Sequence, residues 1–289
     1  MDWMKNIFAK AAVFLEMIKF EHSVFALPFA YLGLFFGVGG VPDFFLFFWV
    51  TVAMVSFRTM AMAMNRLLDR ALDAENPRTQ GRALPQKKIR VRSVWIATAV
   101  SLLVFEISAY LLGPLCFALS PVPVFLAGVY PFTKRFTWLS HFVLGLILGI
   151  APYGAWIAAT GKFGWAPMFL TIGVMCWVAG FDMIYALQDI DFDMKKGLFS
   201  FPSRFGIAAT LKFTRLLHAA SVFCWFAAGF LAGMGICYWV GLIVVTGFLI
   251  RENQLVRSFG VSKINEAFFL TNAVVSIVLF VSVVLDKIL

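Results

Sequence analysis

The sequence predicts an all-α integral membrane protein with about nine transmembrane helices around a central cavity. Of its 289 residues, 62% are hydrophobic and only 13% are charged, whereas soluble domains contain roughly 45–50% apolar and about 25% charged residues. Apolar segments of about 20 residues, the length that spans a bilayer as a helix, recur along the whole chain. These segments are continuous rather than alternating, which argues against a transmembrane β-barrel.

The ends of the apolar segments define the predicted spans. We place them at residues 16–38, 43–65, 93–112, 115–131, 138–160, 166–188, 208–232, 235–250 and 265–285. Two charged loops, residues 74–92 and 194–207, are expected to cap the cavity and not to form separate domains. Residues 1–289 are therefore expected to form one domain with two Asp-rich halves, at about 1–135 and 136–289. In the fifth span, close helix approach and a bend are predicted by Gly145, Gly149, Pro152 and Gly154.

The chain becomes densely charged where the second predicted span ends. Asn65, Asp69 and Asp73 follow one another at intervals of four residues, so on a helix they share one face. One amide oxygen and two carboxylates form a hard-oxygen site of the kind that suits Mg²⁺. Acids that hold a metal beside bases that hold an anion predict a diphosphate bound through Mg²⁺. The surrounding bases are Arg58, Arg66, Arg70, Arg78, Arg82, Lys87 and Lys88.

The end of the sixth predicted span repeats this arrangement. Asp189 and Asp193 are four residues apart, and Asp191 between them turns away from their shared face. A single cluster of this kind is explained equally well as a solvated helix end. Two clusters, each ending a span and each followed by a basic loop, favour one shared site.

The distribution of basic residues predicts the orientation of the chain. With nine spans and the N-terminus inside, only Lys162 and Lys287 of the 24 Lys and Arg residues fall outside. The positive-inside rule therefore places both Asp motifs on the cytoplasmic side of the cell membrane. Because the basic residues flank membrane spans, the net charge of +9 indicates lipid surface and an anionic substrate as partners, and no nucleic acid.

These motifs resemble the 4-hydroxybenzoate polyprenyltransferase (UbiA) superfamily of membrane prenyltransferases. The family's first motif reads Asn-Asp/Arg-x-x-Asp-x-x-x-Asp and its second reads Asp-x-x-x-Asp. The resemblance covers almost the whole chain. Besides the two motifs, it includes the segments Ile18-Lys-Phe-Glu-His22, Asn76-Pro-Arg-Thr-Gln-Gly-Arg82, Tyr130-Pro-Phe-Thr-Lys134, Gly149-Ile-Ala-Pro152 and Ser200-Phe-Pro-Ser-Arg204.

The resemblance implies the roles of the charged residues. One Mg²⁺ would be held by Asn65, Asp69 and Asp73, and a second by Asp189 and Asp193, so the four aspartates would be catalytic. Where many members have Asp after the first Asn, this chain has Arg66, which removes one carboxylate and adds a cation. The expected diphosphate partners are Arg66, Arg78, Tyr130 and Lys134.

Two further charges lie deep in apolar segments, where each costs about 2.5–3.5 kcal/mol on insertion scales. A charge at such depth usually serves a site. We expect Arg58 to contact substrate or to pair with a carboxylate. Asp182 is expected to hold the acceptor, to take its phenolic proton or to pair with Arg58, with a structural ion pair as the alternative. His141 and His218 have no matched partner in the sequence, so no zinc or nucleophile site is predicted from them.

The implied function is Mg²⁺-dependent transfer of a polyprenyl group from its diphosphate to an aromatic acid in quinone biosynthesis, with 4-hydroxybenzoate as the leading acceptor. The same chemistry on a naphthoate of a menaquinone pathway remains open, because the shape of the cavity decides which acceptor binds. A membrane transporter is the alternative of another class. The strongest charge clusters lie at span ends and not at mid-membrane, which favours the enzyme.

Overall fold

The computed structural model describes the backbone of residues 11–19, 21–259 and 264–289, and the side chains of residues 11–19, 26–257 and 271–289. Every regular element from Glu21 onward in this part of the chain is a helix. The elements are α1 (Glu21–Val38), α2 (Phe44–Leu68), α3 (Arg70–Glu75), α4 (Val91–Leu112), α5 (Pro114–Leu119), α6 (Pro121–Thr133), α7 (Ser140–Thr160), α8 (Trp165–Ala186), a 3₁₀ turn (Leu187–Asp189), α9 (Ile190–Lys196), α10 (Phe201–Leu231), α11 (Ile236–Phe259) and α12 (Ile264–Ile288).

Eight helical segments of the described residues are long and apolar enough to cross a membrane. Within α1, Ala26–Val38 adds a shorter apolar helix. These nine segments agree with the nine predicted spans, and the chain is an integral, multi-pass membrane protein. The first span starts later than predicted, because the backbone of Lys19 has a φ of 51° and α1 begins at Glu21.

Two other predicted boundaries are corrected by the structure. The fourth span is broken at Ser120, where α5 ends and Pro121 starts α6. The predicted loop 194–207 is mostly helical, because α9 runs to Lys196 and α10 begins at Phe201. Ser200 and Ser203 form a capping box at the start of α10, and Gly206, with a φ of 80°, kinks its first turns.

Helix α8 is the central element, since it packs against both α7 and α10 and most of its residues are buried. The approach of α7 depends on small residues, as predicted. A Cβ atom on Gly145 would lie 2.4 Å from the carbonyl oxygen of Met175 on α8. The prediction was wrong for Gly154, where a Cβ atom would meet nothing within 4 Å.

The helices enclose a cavity of about 1160 Å³, which is larger than the roughly 300–1,000 Å³ of ordinary small-molecule pockets. Its walls come mainly from α2, α4, α6, α7 and α8, with Phe29 of α1 and Asn272 of α12 completing them. Most of the lining is apolar. The charged lining residues are Glu16 and Lys19 before α1, Arg58 and Arg66 on α2, Arg78, Arg82 and Lys88 after α3, and Asp182 on α8.

Candidate active site

The loop after α3 reaches across the cavity to the second Asp motif. Arg78 donates through Nε to Asp189 Oδ1 at 2.7 Å and through Nη2 to Asp189 Oδ2 at 2.5 Å. Asn76 donates to the same Oδ1 at 3.0 Å, so both oxygens of Asp189 are occupied by protein donors. Asn76 also accepts from the backbone N–H of Arg78 at 2.9 Å, which orients the loop. The two predicted motifs are therefore joined by this loop.

Arg78 holds its position through a third contact. Its Nη1 donates to the Tyr185 hydroxyl at 3.0 Å, and the guanidinium carbon lies 5.1 Å from the centroid of that ring. Burial alone would lower the pKa of Arg78, but the bonds to Asp189 more than reverse this effect and raise it. The guanidinium is therefore a permanent cation at the cavity wall.

The first motif is bound by the same loop. Arg82 donates through Nη1 to Asp73 Oδ1 at 2.6 Å, and the Thr79 hydroxyl donates to the carbonyl oxygen of Asp73 at 3.0 Å. The other carboxylate oxygen of Asp73, Oδ2, is buried and has no hydrogen-bond partner among the described residues. Oδ1 of Asp73 is thus neutralised by Arg82, whereas Oδ2 has no hydrogen-bond donor beside it within the described residues.

Asn65 and Asp69 come together as the helical spacing predicts, although the helix is not continuous. Asn65 Nδ2 donates to Asp69 Oδ2 at 2.9 Å. Helix α2 ends at Leu68, and Asp69 leaves helical geometry with φ −88° and ψ 3°. The backbone N–H of Asp73 still bonds to the carbonyl of Asp69 at 2.8 Å, so the two aspartates remain one turn apart.

The environment of Asp69 disfavours its negative charge. Burial and then the neighbouring Asp73 raise the pKa of Asp69 to about 6, against the lowering effect of Lys134 and Arg135. A carboxyl group in this position is stabilised as an anion by any additional cation that binds beside it. Lys134 caps α6, and its carbonyl oxygen accepts from the backbone N–H of Phe199 at 2.7 Å.

The remaining predicted residues divide between the cavity wall and the layer behind it. The wall includes Arg58, Asn65, Arg66, Arg78, Tyr130 and Asp182. The four motif aspartates and Lys134 do not line the cavity. Asp69, Asp73 and Asp189 are bonded by the lining residues Asn65, Arg82 and Arg78. Asp193 is buried, and its Oδ2 has no hydrogen-bond partner within the described part of the chain. Asp191, which was expected to turn away from the face shared by Asp189 and Asp193, is exposed.

Of the alternatives left open for Asp182, pairing with Arg58 is contradicted by the structure, because its Oδ2 lies 2.6 Å from Nδ1 of His141. The expectation that His141 has no matched partner was therefore wrong. His218 has a partner as well, since its Nδ1 lies 2.9 Å from Nδ2 of Asn253. These contacts join helices that are distant in sequence, so spacing along one helix could not reveal them.

The oxygen atoms around the two motifs fit a hard divalent cation in their chemistry. The buried Oδ2 atoms of Asp73 and Asp193 find no hydrogen-bond partner in the described ranges, and both belong to carboxylates, the ligand type that Mg²⁺ prefers. Among the described residues, no group of three or more His, Cys, Asp or Glu side chains is gathered closely enough to hold a metal ion.

Three contact residues were missing from the predicted site. Asn76 and Arg82 lie in a loop segment whose pattern was noticed in the sequence, but Arg82 was counted only among the surrounding bases and Asn76 was given no role. His141 gave no sequence signal, because its partners lie 41 and 60 residues away.

The fold and the site together define a polytopic membrane protein with a large apolar cavity, whose wall carries arginines that bond to the carboxylates of two Asp motifs. Comparison with known proteins identifies the class further. Residues 26–274 match the UbiA prenyltransferase family, and the chain belongs to this family. This confirms the resemblance inferred from the motifs. The protein is a prenyltransferase, and the transporter alternative is set aside.

Individual relatives agree with this assignment along nearly the whole chain. The 4-hydroxybenzoate octaprenyltransferase of Shewanella piezotolerans is 30% identical over 288 residues, which cover 97% of this chain and 98% of the relative. The enzyme of the same name from Shewanella pealeana is 28% identical over 284 residues, which cover 97% of this chain and 98% of the relative.

Solved structures show the same fold. The apo structure of a UbiA homolog from Aeropyrum pernix K1 is similar with a TM-score of 0.85 and 30% identity, covering 92% of this chain and 98% of that one. A UbiA homolog from Archaeoglobus fulgidus bound to GPP and Mg²⁺ is similar with a TM-score of 0.69 and 19% identity. The match covers 92% of this chain and 99% of that one.

Proposed function

We propose that this protein transfers a polyprenyl group from polyprenyl diphosphate to 4-hydroxybenzoate in a Mg²⁺-dependent reaction. The observation that carries the proposal is the loop of Asn76, Arg78 and Arg82, which brings cations and two Asp motifs to one end of a large apolar cavity. The names of the relatives support the acceptor, and the GPP and Mg²⁺ of the Archaeoglobus homolog support the donor and the metal.

The cationic end of the cavity is suited to the diphosphate. Arg66 and Arg78 line the wall there, and Arg66 Nε is held by the carbonyl oxygen of Met17 at 3.3 Å. Guanidinium groups bind phosphate oxygens through two parallel hydrogen bonds. Tyr130 adds a hydroxyl donor from α6, and Lys134 adds a positive charge behind it. These residues would bind the diphosphate and stabilise the negative charge that develops as it leaves.

The two Asp motifs would hold Mg²⁺ through Asn65, Asp69 and Asp73 on one side and Asp189 and Asp193 on the other. When bound, Mg²⁺ supplies Lewis-acid stabilisation to the departing diphosphate and a template for its oxygens. Asp69, Asp73 and Asp193 have the features expected of such ligands: a pKa raised to about 6 in the first, and buried, unbonded oxygens in the other two.

The apolar length of the cavity is suited to the prenyl chain and to the exclusion of water. Side chains such as Met54, Phe57, Phe105 and Leu112 line it. In the transfer, the bond between the allylic carbon and the diphosphate oxygen breaks, and its electron pair leaves with the diphosphate. The aromatic ring forms the new carbon–carbon bond and loses a proton. A dry wall protects the electron-poor allylic carbon from attack by water.

Two charged wall residues are suited to the acceptor. Arg58 lies two turns before Arg66 on α2, so it places a guanidinium deeper in the cavity, where it can bind the carboxylate of an aromatic acid. Asp182 on α8 can accept a hydrogen bond from the phenolic hydroxyl, which increases the electron density of the ring. Together they distinguish the two ends of a hydroxybenzoate.

We further propose that both motifs face the cytoplasm, because this orientation leaves only Lys162 and Lys287 outside. A membrane-impermeant maleimide applied to intact cells should label Lys162→Cys and not Arg92→Cys. Labelling of Arg92→Cys and not of Lys162→Cys would show the opposite orientation, with both motifs outside.

The test uses purified protein in detergent with a long-chain prenyl diphosphate. 4-Hydroxybenzoate and a dihydroxynaphthoate are offered separately, each with Mg²⁺ and with excess chelator. We expect prenylated 4-hydroxybenzoate, with the product lost on chelation and restored by Mg²⁺. Product from the naphthoate alone would assign the enzyme to the menaquinone reaction. Turnover that survives chelation would refute the role of the metal.

A further inference from the structure

Three helices meet at His141, a residue that the proposed reaction leaves without a role. His141 is the second residue of α7 and is completely buried, with an exposed fraction of 0%. Its Nδ1 lies 2.6 Å from Oδ2 of Asp182 on α8. Its Nε2 accepts the backbone N–H of Phe201, the first residue of α10, at 3.3 Å.

These two contacts determine where the imidazole proton lies. The N–H of Phe201 can only donate, so Nε2 must offer its lone pair to it. The ring proton therefore lies on Nδ1 and is donated to the Asp182 carboxylate. Phe201 N–H is one of the first N–H groups of α10, which have no acceptor within their own helix.

Asp182 connects this contact to the cavity. Its side chain is 19% exposed and lines the cavity wall. Since His141 bonds to Oδ2, the other oxygen, Oδ1, remains for a ligand, and no hydrogen bond to it is found within the described residues. The terminal torsion of an aspartate is broad and has two equivalent minima, so an unsupported carboxylate would sample several directions. The bond from His141 restricts it to one.

We infer that His141 is a positioning residue, which orients the Asp182 carboxylate toward the hydroxyl of the aromatic acceptor. The inference rests on the proposed function, because it takes the acceptor to be a phenolic acid. His141 itself is too deeply buried to touch substrate, and it acts only through Asp182. Its loss should therefore impair use of the acceptor and leave binding of the prenyl diphosphate unchanged.

The test compares four variants with the wild-type enzyme: His141→Leu, His141→Gln, Asp182→Asn and the double variant His141→Leu/Asp182→Asn. His141→Leu should lower kcat/KM for 4-hydroxybenzoate on the order of 100-fold, as expected when a reacting group is misplaced by about 1 Å. The KM for the prenyl diphosphate should change less than about twofold. His141→Gln can donate to Asp182 and accept from Phe201, so it should recover most of the activity.

The double variant separates positioning from a merely structural role. If His141 acts through Asp182, His141→Leu should add little to the effect of Asp182→Asn, measured as kcat/KM or as 4-hydroxybenzoate binding by calorimetry. Losses that multiply in the double variant would overturn the inference. Equal losses for both substrates, or equal losses in His141→Gln and His141→Leu, would overturn it as well.

A measurement on the wild-type protein keeps the inference testable if His141→Leu does not fold. With ¹⁵N-labelled histidine, the nitrogen resonances of His141 should show the ring proton on Nδ1 and an unprotonated Nε2. A proton on Nε2 would contradict the geometry. Failure of the wild-type enzyme to prenylate 4-hydroxybenzoate would count against the proposed function, whereas wild-type activity in His141→Leu would count against this inference alone.

Discussion

Arg78 and Asp189 form a bidentate ion pair across 111 residues of sequence, with contacts of 2.7 and 2.5 Å. The pair fixes the loop after α3 onto the end of α8 without any ligand. It also means that a proposed metal ligand is already neutralised by a cation from the protein, as Asp73 is by Arg82. When Mg²⁺ is bound, Asp73 and Asp189 would hold it, and Arg78 and Arg82, which line the cavity, would be available to the diphosphate.

Replacement of Arg78 should therefore weaken binding of the prenyl diphosphate more than binding of the acceptor. A hydrogen bond to a charged group contributes about 1.5–3 kcal/mol, so Arg78→Gln should raise the KM for the diphosphate on the order of 10- to 100-fold. Steady-state kinetics with each substrate varied in turn measures this. Arg92→Gln, at an exposed position at the start of α4, is the matched control and should behave as wild type. A change confined to the KM of the acceptor would contradict the assignment.

Amide substitutions in the two motifs should abolish transfer while the protein still inserts and folds. Asp69→Asn and Asp189→Asn keep the side-chain size but remove a negative charge that Mg²⁺ requires. We expect turnover to fall on the order of 1,000-fold or more, since metal and charge stabilisation of the leaving group fail together. Product formation and size-exclusion profiles in detergent measure the two properties. Asp191→Asn, at an exposed position, is the control, and near-normal turnover of Asp69→Asn would remove the metal assignment.

The spans and the motifs could be predicted because both depend on local sequence. A bilayer requires continuous apolar helices, and the four-residue spacing of Asn65 and Asp69 places them in contact even though α2 ends between them. The break itself was not predictable, because nothing in the spacing distinguishes a continuous helix from one that changes direction at Asp69.

The partners of the charged residues could not be predicted, because they depend on how the helices pack. The loop that binds Asp189 lies more than 100 residues earlier, and His141 reaches Asp182 only where α7 and α8 meet. Sequence patterning also treated Gly145 and Gly154 alike. They are nine residues apart and therefore lie on opposite faces of α7, and only the packing of the bundle shows that the Gly145 face meets α8.

The depth of Arg58 leads to a prediction about acceptor choice. If its guanidinium binds the carboxylate of the aromatic acid, Arg58→Leu should raise the KM for 4-hydroxybenzoate on the order of 10- to 100-fold, the equivalent of losing a charged hydrogen bond. The KM for the prenyl diphosphate should stay unchanged. For 4-hydroxybenzamide, which lacks the negative charge, the same variant should raise the KM much less. Equal increases in KM for the acid and the amide would show that Arg58 does not recognise the carboxylate.

The packing of α7 on α8 gives a prediction about stability with an internal control. A methyl group on Gly145 would meet the carbonyl oxygen of Met175 at 2.4 Å, and a backbone atom cannot move aside as a flexible side chain can. Gly145→Ala should therefore lower the free energy of unfolding by about 1–3 kcal/mol, the usual cost of overpacking.

Gly154→Ala lies on the same helix, and its methyl group would have open space. Because alanine favours helix by up to about 1 kcal/mol over glycine, this variant should be as stable as wild type or slightly more stable. Thermal unfolding of both variants in the same detergent measures the difference. Equal effects of the two substitutions would contradict the close contact of α7 with α8, since helix propensity alone acts on both positions in the same direction.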